Sequence, residues 1–101
     1  MQIVIDDAGS TAVVVLTGRL DITGAEVVAL PLATLSGAKQ ALVIDMTGVS
    51  FIASIGLRHL VSAAKAVGRR GGSLVLRNPT PPVTEIIITS GLGDLLPIER
   101  A

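Results

Sequence analysis

Ser54 stands between apolar neighbours in FIASIGLRHL, residues 51–60, where a helical period begins. A serine in that place can serve two chemistries. As an N-cap, its oxygen would accept a hydrogen bond from the N–H of Gly56 or Leu57. As a phosphate acceptor, it would hold about −1.5 to −2 units of charge beside free helix N–H groups and the positive end of the helix dipole, which tolerate an anion. A modified helix would keep its fold, yet the new charge on a largely apolar rim would disrupt a hydrophobic interface formed before modification.

Other chemistry is poorly supplied. His59 is the single histidine, and on a helix it lies about 140° around the axis from Ser54, so the two side chains do not face each other. Without cysteine or a second histidine there is no zinc set, and the G-x-S-x-G nucleophile elbow is missing. GLG at 91–93 and RRGG at 69–72 neither follow a strand nor open a helix, so they read as helix terminators rather than phosphate loops. Asp21 and Asp45 each fall where a strand is expected to give way to a loop, and such strand ends gather on one edge of a parallel sheet. Two acids there would bind a cation or a partner's basic groups, or simply form turns. No catalytic set, metal site or cofactor is expected.

The elements that must position these residues follow from the patterning. QIVID and TAVVVLTG flank DAGS and predict an antiparallel hairpin, the second strand ending near Gly18. TGAEVVALPLATL predicts a helix started by a Thr23–Glu26 capping box, with Pro31 expected to kink or stop it near Leu30. ALVIDM, residues 41–46, is a continuous apolar run of the kind buried on both faces of a sheet. From Ser54 to Arg70, Leu57, Leu60, Val61, Ala64 and Val67 form an apolar stripe opposite Arg58, Ser62, Lys65 and Arg69. RRGG closes that helix, with Gly71 or Gly72 free to adopt positive φ. SLVLR predicts a strand, PPVTEIII a helix capped at Thr80 and ended at Gly91, and LPIE a short edge strand. The alternation predicts one α/β domain over residues 1–101: an N-terminal hairpin, then helices and strands of a mostly parallel sheet of four to five strands.

Composition narrows the function classes. The 101 residues carry eight basic and eight acidic side chains and a single aromatic one, which gives neither a field for phosphate backbones nor a stacking platform for bases. Nucleic-acid binding is not expected. No apolar run approaches the roughly 18 residues of a membrane span, and the N-terminus lacks signal-peptide character. With no cysteine to oxidise, a cytoplasmic domain without membrane insertion is expected.

LTGRLDITGAE, ALVIDMTGVSFIASIGLRHLVSAAKAVGRRGGSLVLRN and PPVTEIIITSGLGDLLPI resemble successive segments of the STAS domain of bacterial anti-sigma factor antagonists, over about residues 11 to 98. In that family a strand leads through hydrophobe-Asp-Ser-Ser/Thr-Gly-Leu into a helix, and the first serine is phosphorylated. The resemblance implies that Ser54 is the phosphoacceptor, that Gly56 and Leu57 are the motif's Gly-Leu, and that Asp45 and Asp21 are two family acids. Ala53 stands where the family usually has Asp, Ile55 where it has Ser or Thr, and Arg19 where it has Glu.

The same resemblance implies a non-enzymatic partner switch. The unmodified chain would bind an anti-sigma factor that is also a serine kinase, phosphorylation of Ser54 would end binding, and a PP2C-type phosphatase would restore it. The expected contact surface is Ser54 with Asp21, Asp45, Ala53, Ile55, Gly56, Leu57 and Arg58. The alternative is an unphosphorylated STAS scaffold or subunit of a transporter or stress-signalling assembly.

Overall fold

A computed structural model describes residues 1–101. The elements are β1 (Gln2–Ala8), β2 (Thr11–Leu20), α1 (Ile22–Ser36), β3 (Ala41–Ile52), α2 (Ser54–Arg69), β4 (Ser73–Arg77), α3 (Pro81–Thr89) and β5 (Ile98–Glu99). They build one five-stranded sheet in the order β1-β2-β3-β4-β5. β1 and β2 form the expected antiparallel hairpin, and β2 through β5 run parallel, each joined to the next by a helix.

All three helices cover one face. Ala12, Val14 and Leu16 of β2, Leu42, Ile44 and Met46 of β3, and Leu74 and Leu76 of β4 point into a single core with Val28 and Leu32 of α1, Leu60 and Val67 of α2, and Val83 and Ile87 of α3. The alternate residues Val13, Val15, Val43 and Val75 are only half-buried and stand outside that core. This corrects the expectation that β3 is buried on both faces: the run ALVIDM is apolar throughout, but only every second residue reaches the helices.

Two further boundaries differ from expectation. Pro31 lies inside α1, which continues to Ser36 instead of stopping near Leu30. Val27, whose carbonyl loses its donor to the proline, is exposed, so water is at hand to replace it. β3 does not end after Met46: the register slips by one residue between Val15 and Thr17 of β2 and by one more between Gly18 and Arg19, and pairing runs on to Leu20↔Ile52. A bulge of this kind places two residues opposite one and bends the strand without ending it. Gly71, at φ +77°, and Gly91, at φ +74°, close α2 and α3 in the left-handed conformation that glycine adopts freely.

Candidate functional site

The site is built where β2 and β3 finish level with each other. Leu20 is in register with Ile52, and the Ala53 N–H donates to the Leu20 carbonyl at 2.9 Å, tying the two exits together. A helix starts immediately beyond each strand. Asp21, not the Thr23–Glu26 box, caps α1: its Oδ1 accepts from the Gly24 N–H at 2.9 Å and its carbonyl from the Ala25 N–H at 2.7 Å. Ala53 caps α2 with its backbone, its carbonyl accepting from the Leu57 N–H at 3.0 Å. Gly24 and Gly56 are each the third residue of a helix, and both press against the end of β2.

Ser54 is therefore the first residue of α2 and not its cap. Its hydroxyl makes no hydrogen bond to the protein, and the side chain is exposed. Because Ala53 has no side-chain oxygen, the backbone N–H groups of Ser54, Ile55 and Gly56 also lack a protein acceptor. The expected bond from Gly56 or Leu57 to Ser54 is absent, since a residue already inside the helix has its hydroxyl outside the capping position.

Around Ser54 the surface is mixed. Ile55 and Leu57 are half-buried, Leu57 packing against the core, while Gly56 is buried and Arg58 exposed. Arg19 lies beside Phe51, its registered partner on β3, with the guanidinium 4.4 Å from the ring centroid. The same guanidinium pairs with Asp21 at 3.6 Å. The Gly24 N–H, reinforced by Arg19, holds the Asp21 carboxyl below its usual value against the opposing effect of burial. Ile22 adds an exposed apolar side chain at the start of α1. Phe51 and Ile22 were not singled out from sequence; an apolar residue flanking each strand exit is the signal that could have found them.

Asp45 is not brought to this rim. It is level with Val15, five residues before Leu20, or roughly 16 Å along the strand at 3.3 Å per residue. Its Oδ1 accepts from the Thr47 N–H at 3.0 Å and so closes the bulge. On the open face it is in register with Arg77, which pairs with Glu99 at 3.8 Å. His59 lies in the groove between α1 and α2 beside Leu32 and Ala63, away from the Ser54 face. No three His, Asp or Glu side chains come together as metal ligands, and no helix is long and apolar enough to cross a membrane.

A family model described as "Mlab, STAS domain" matches residues 3–97. The chain belongs to the STAS domain family. Among solved structures, this STAS domain superimposes on the anti-sigma factor antagonist SpoIIAA in its unphosphorylated form with a TM-score of 0.85 and 24% identity, covering 99% of this chain and 88% of that one. The phosphorylated form of SpoIIAA from Bacillus gives a TM-score of 0.81 at 23% identity, over 99% and 91% of the two chains. An anti-sigma factor antagonist from Mycobacterium paratuberculosis gives 0.83 at 24% identity, over 96% and 83%. The murine anion transporter Slc26a9 contains a similar unit, with a TM-score of 0.70 and 20% identity over 88% of the STAS domain and 15% of the transporter. At these identities the shared property is the fold. By sequence, no curated protein matches the STAS domain.

Proposed function

We propose that this STAS domain is an anti-sigma factor antagonist that acts by partner switching in the cytoplasm. The docking surface is the rim of Asp21, Ala53, Ser54, Ile55, Gly56, Leu57 and Arg58; Asp45 lies outside it. The partner is an anti-sigma factor with serine kinase activity, which binds while Ser54 is unmodified. The kinase transfers the terminal phosphoryl group of a nucleoside triphosphate. An O–P bond forms at Ser54 Oγ, the bond to the nucleoside diphosphate breaks, and the hydroxyl proton passes to the kinase. Hydrolysis by a PP2C-type phosphatase returns the hydroxyl and releases inorganic phosphate.

The observation that carries this reading is the free Ser54 hydroxyl. It is exposed, unbonded and flanked by backbone N–H groups that stabilise an anion. A phosphoryl group there leaves the helix intact and changes the rim, as a switch requires. The neighbouring fold is known in both phosphorylated and unphosphorylated forms in SpoIIAA.

A second reading, a STAS scaffold with Ser54 unmodified, draws on Ala53, which gives a kinase no carboxylate to read, and on the similar unit in an anion transporter. The two separate in one experiment. Tagged chains bearing Ser54, Ser54→Ala and Ser54→Asp are expressed in the host and their co-purifying proteins quantified. The switch predicts a kinase-like partner retained by the first two and reduced at least about tenfold by Ser54→Asp, a loss of about 1.4 kcal/mol or more in binding. Equal recovery by all three would support the scaffold.

A further inference from the structure

Ser54 and Arg58 are four residues apart on α2, one helical turn, so their Cβ atoms share a face at a separation of about 5–6 Å. Helical side chains lean toward the N-terminus of their helix, which directs Arg58 back over Ser54. Both side chains are exposed. The Ser54 hydroxyl is unbonded, and Arg58 takes part in none of the protein's three ion pairs, which join Arg19 to Asp21, Lys39 to Asp7 and Arg77 to Glu99. α2 contains no acidic residue that could engage Arg58 within the helix.

We propose that Arg58 is the built-in counter-ion of a phosphoryl group on Ser54, a deepening that rests on the switch described above. An anion at one position and a cation four residues later is the favourable order of charges on a helix, and a guanidinium matches two phosphate oxygens at once. The other arginine at the rim, Arg19, is already held by Asp21 and Phe51. His59 lies about 140° around the helix from Ser54, and α1 presents Glu26 as its one internal acid. Lys65 shares that helix face but lies about three turns farther along, so Arg58 is the free cation of α2 within one turn of Ser54.

The consequence is a two-part switch. Before modification Arg19, Asp21 and Arg58 sum to one positive charge, and Arg58 is free to contact a docked protein. Afterwards about −1.5 to −2 is added and Arg58 is folded onto the phosphate, so the rim gains an anion and loses its available cation.

The test needs no kinase. Phosphoserine is installed at position 54 during translation, in the otherwise unaltered chain and in Arg58→Ala and Arg58→Lys variants, and the second phosphate ionisation is followed by phosphorus NMR. Arg58 is exposed, and circular dichroism shows whether each variant keeps the fold. The expected result is a phosphate pKa lower with Arg58 than with Ala by about 0.3 unit or more, with Lys between them. Superimposed titrations with Arg58 and Ala would overturn the pairing. Finding the chain unphosphorylated in its host would instead remove the switch while leaving the NMR result standing.

Discussion

A side chain of any size at position 56 would collide with Leu20: a Cβ there would lie 2.5 Å from Leu20 Cγ and 2.8 Å from the Leu20 carbonyl oxygen. Leu20 is wholly buried and its carbonyl already accepts from the Ala53 N–H, so it cannot yield. The contact sets how closely α2 starts against the end of β2, and with it where Ser54 stands.

Gly56→Ala is therefore expected to destabilise the domain by about 1–3 kcal/mol, the usual cost of overpacking. Gly24→Ala should cost at least as much, because its Cβ would meet the Arg19 carbonyl oxygen at 2.2 Å, a backbone atom with no rotamer to escape by. Urea unfolding at constant m-value measures both. A cost below about 0.5 kcal/mol at either site would show that the strand exit is pliable.

Ser54→Asp should leave the fold intact and raise stability by about 0.3–1 kcal/mol at low salt, since a carboxylate in the first turn interacts favourably with the helix dipole and nearby N–H groups. Raising the salt concentration should erase the gain. Thermal melts of the variant beside Ser54→Ala test this. Destabilisation by Asp would mean that the site rejects an anion.

The Asp21 carboxyl is held below its usual value by the Gly24 N–H and by Arg19, so its ionised form favours the folded state. Its contribution is complete above the unfolded value of about 3.9 and is lost as pH falls through the lower folded value. Asp21→Ala should lower the Tm at pH 7, and the gap from the unaltered chain should narrow as pH drops below about 4. A gap independent of pH would mean the carboxylate charge plays no part in the cap.

Pro31→Ala should stabilise the domain by up to about 3 kcal/mol, because it restores a donor inside a helix that runs through the proline. Solvent already available to Val27 will reduce the gain. A loss of stability would show that the ring packs against the core more than it strains the helix.

Much of the fold is legible in the sequence because local pattern and tertiary packing agree. The hairpin, the amphipathic period of α2, the Thr80-Pro81 start of α3 and the short β5 all read correctly. The errors cluster where a neighbour decides. β3 looks finished at Met46 because Thr47 and Gly48 interrupt its apolar run, but β2 continues beside it and recaptures the chain. That extension moves Asp45 into the middle of a strand, away from the rim. It also makes Ala53 the residue at which the Leu20 carbonyl is met, and so moves Ser54 from cap to first helical residue. Asp21 displaces Thr23 as the cap of α1 because the level ends of β2 and β3 fix where that helix must start. At Pro31 the propensity signal was real, and fourteen other helical residues outvoted it.

The central claim is that the hydroxyl opening α2 is left free to carry a phosphoryl group. Trypsin should release Gln40–Arg58, which contains Thr47, Ser50 and Ser54, from protein isolated from its host across growth conditions with phosphatases inhibited. Site-resolved mass spectrometry of that peptide is predicted to find one phosphoryl group, on Ser54, and none in the Ser54→Ala chain. A peptide unmodified in every condition, or modified on Thr47 or Ser50 instead, would contradict it.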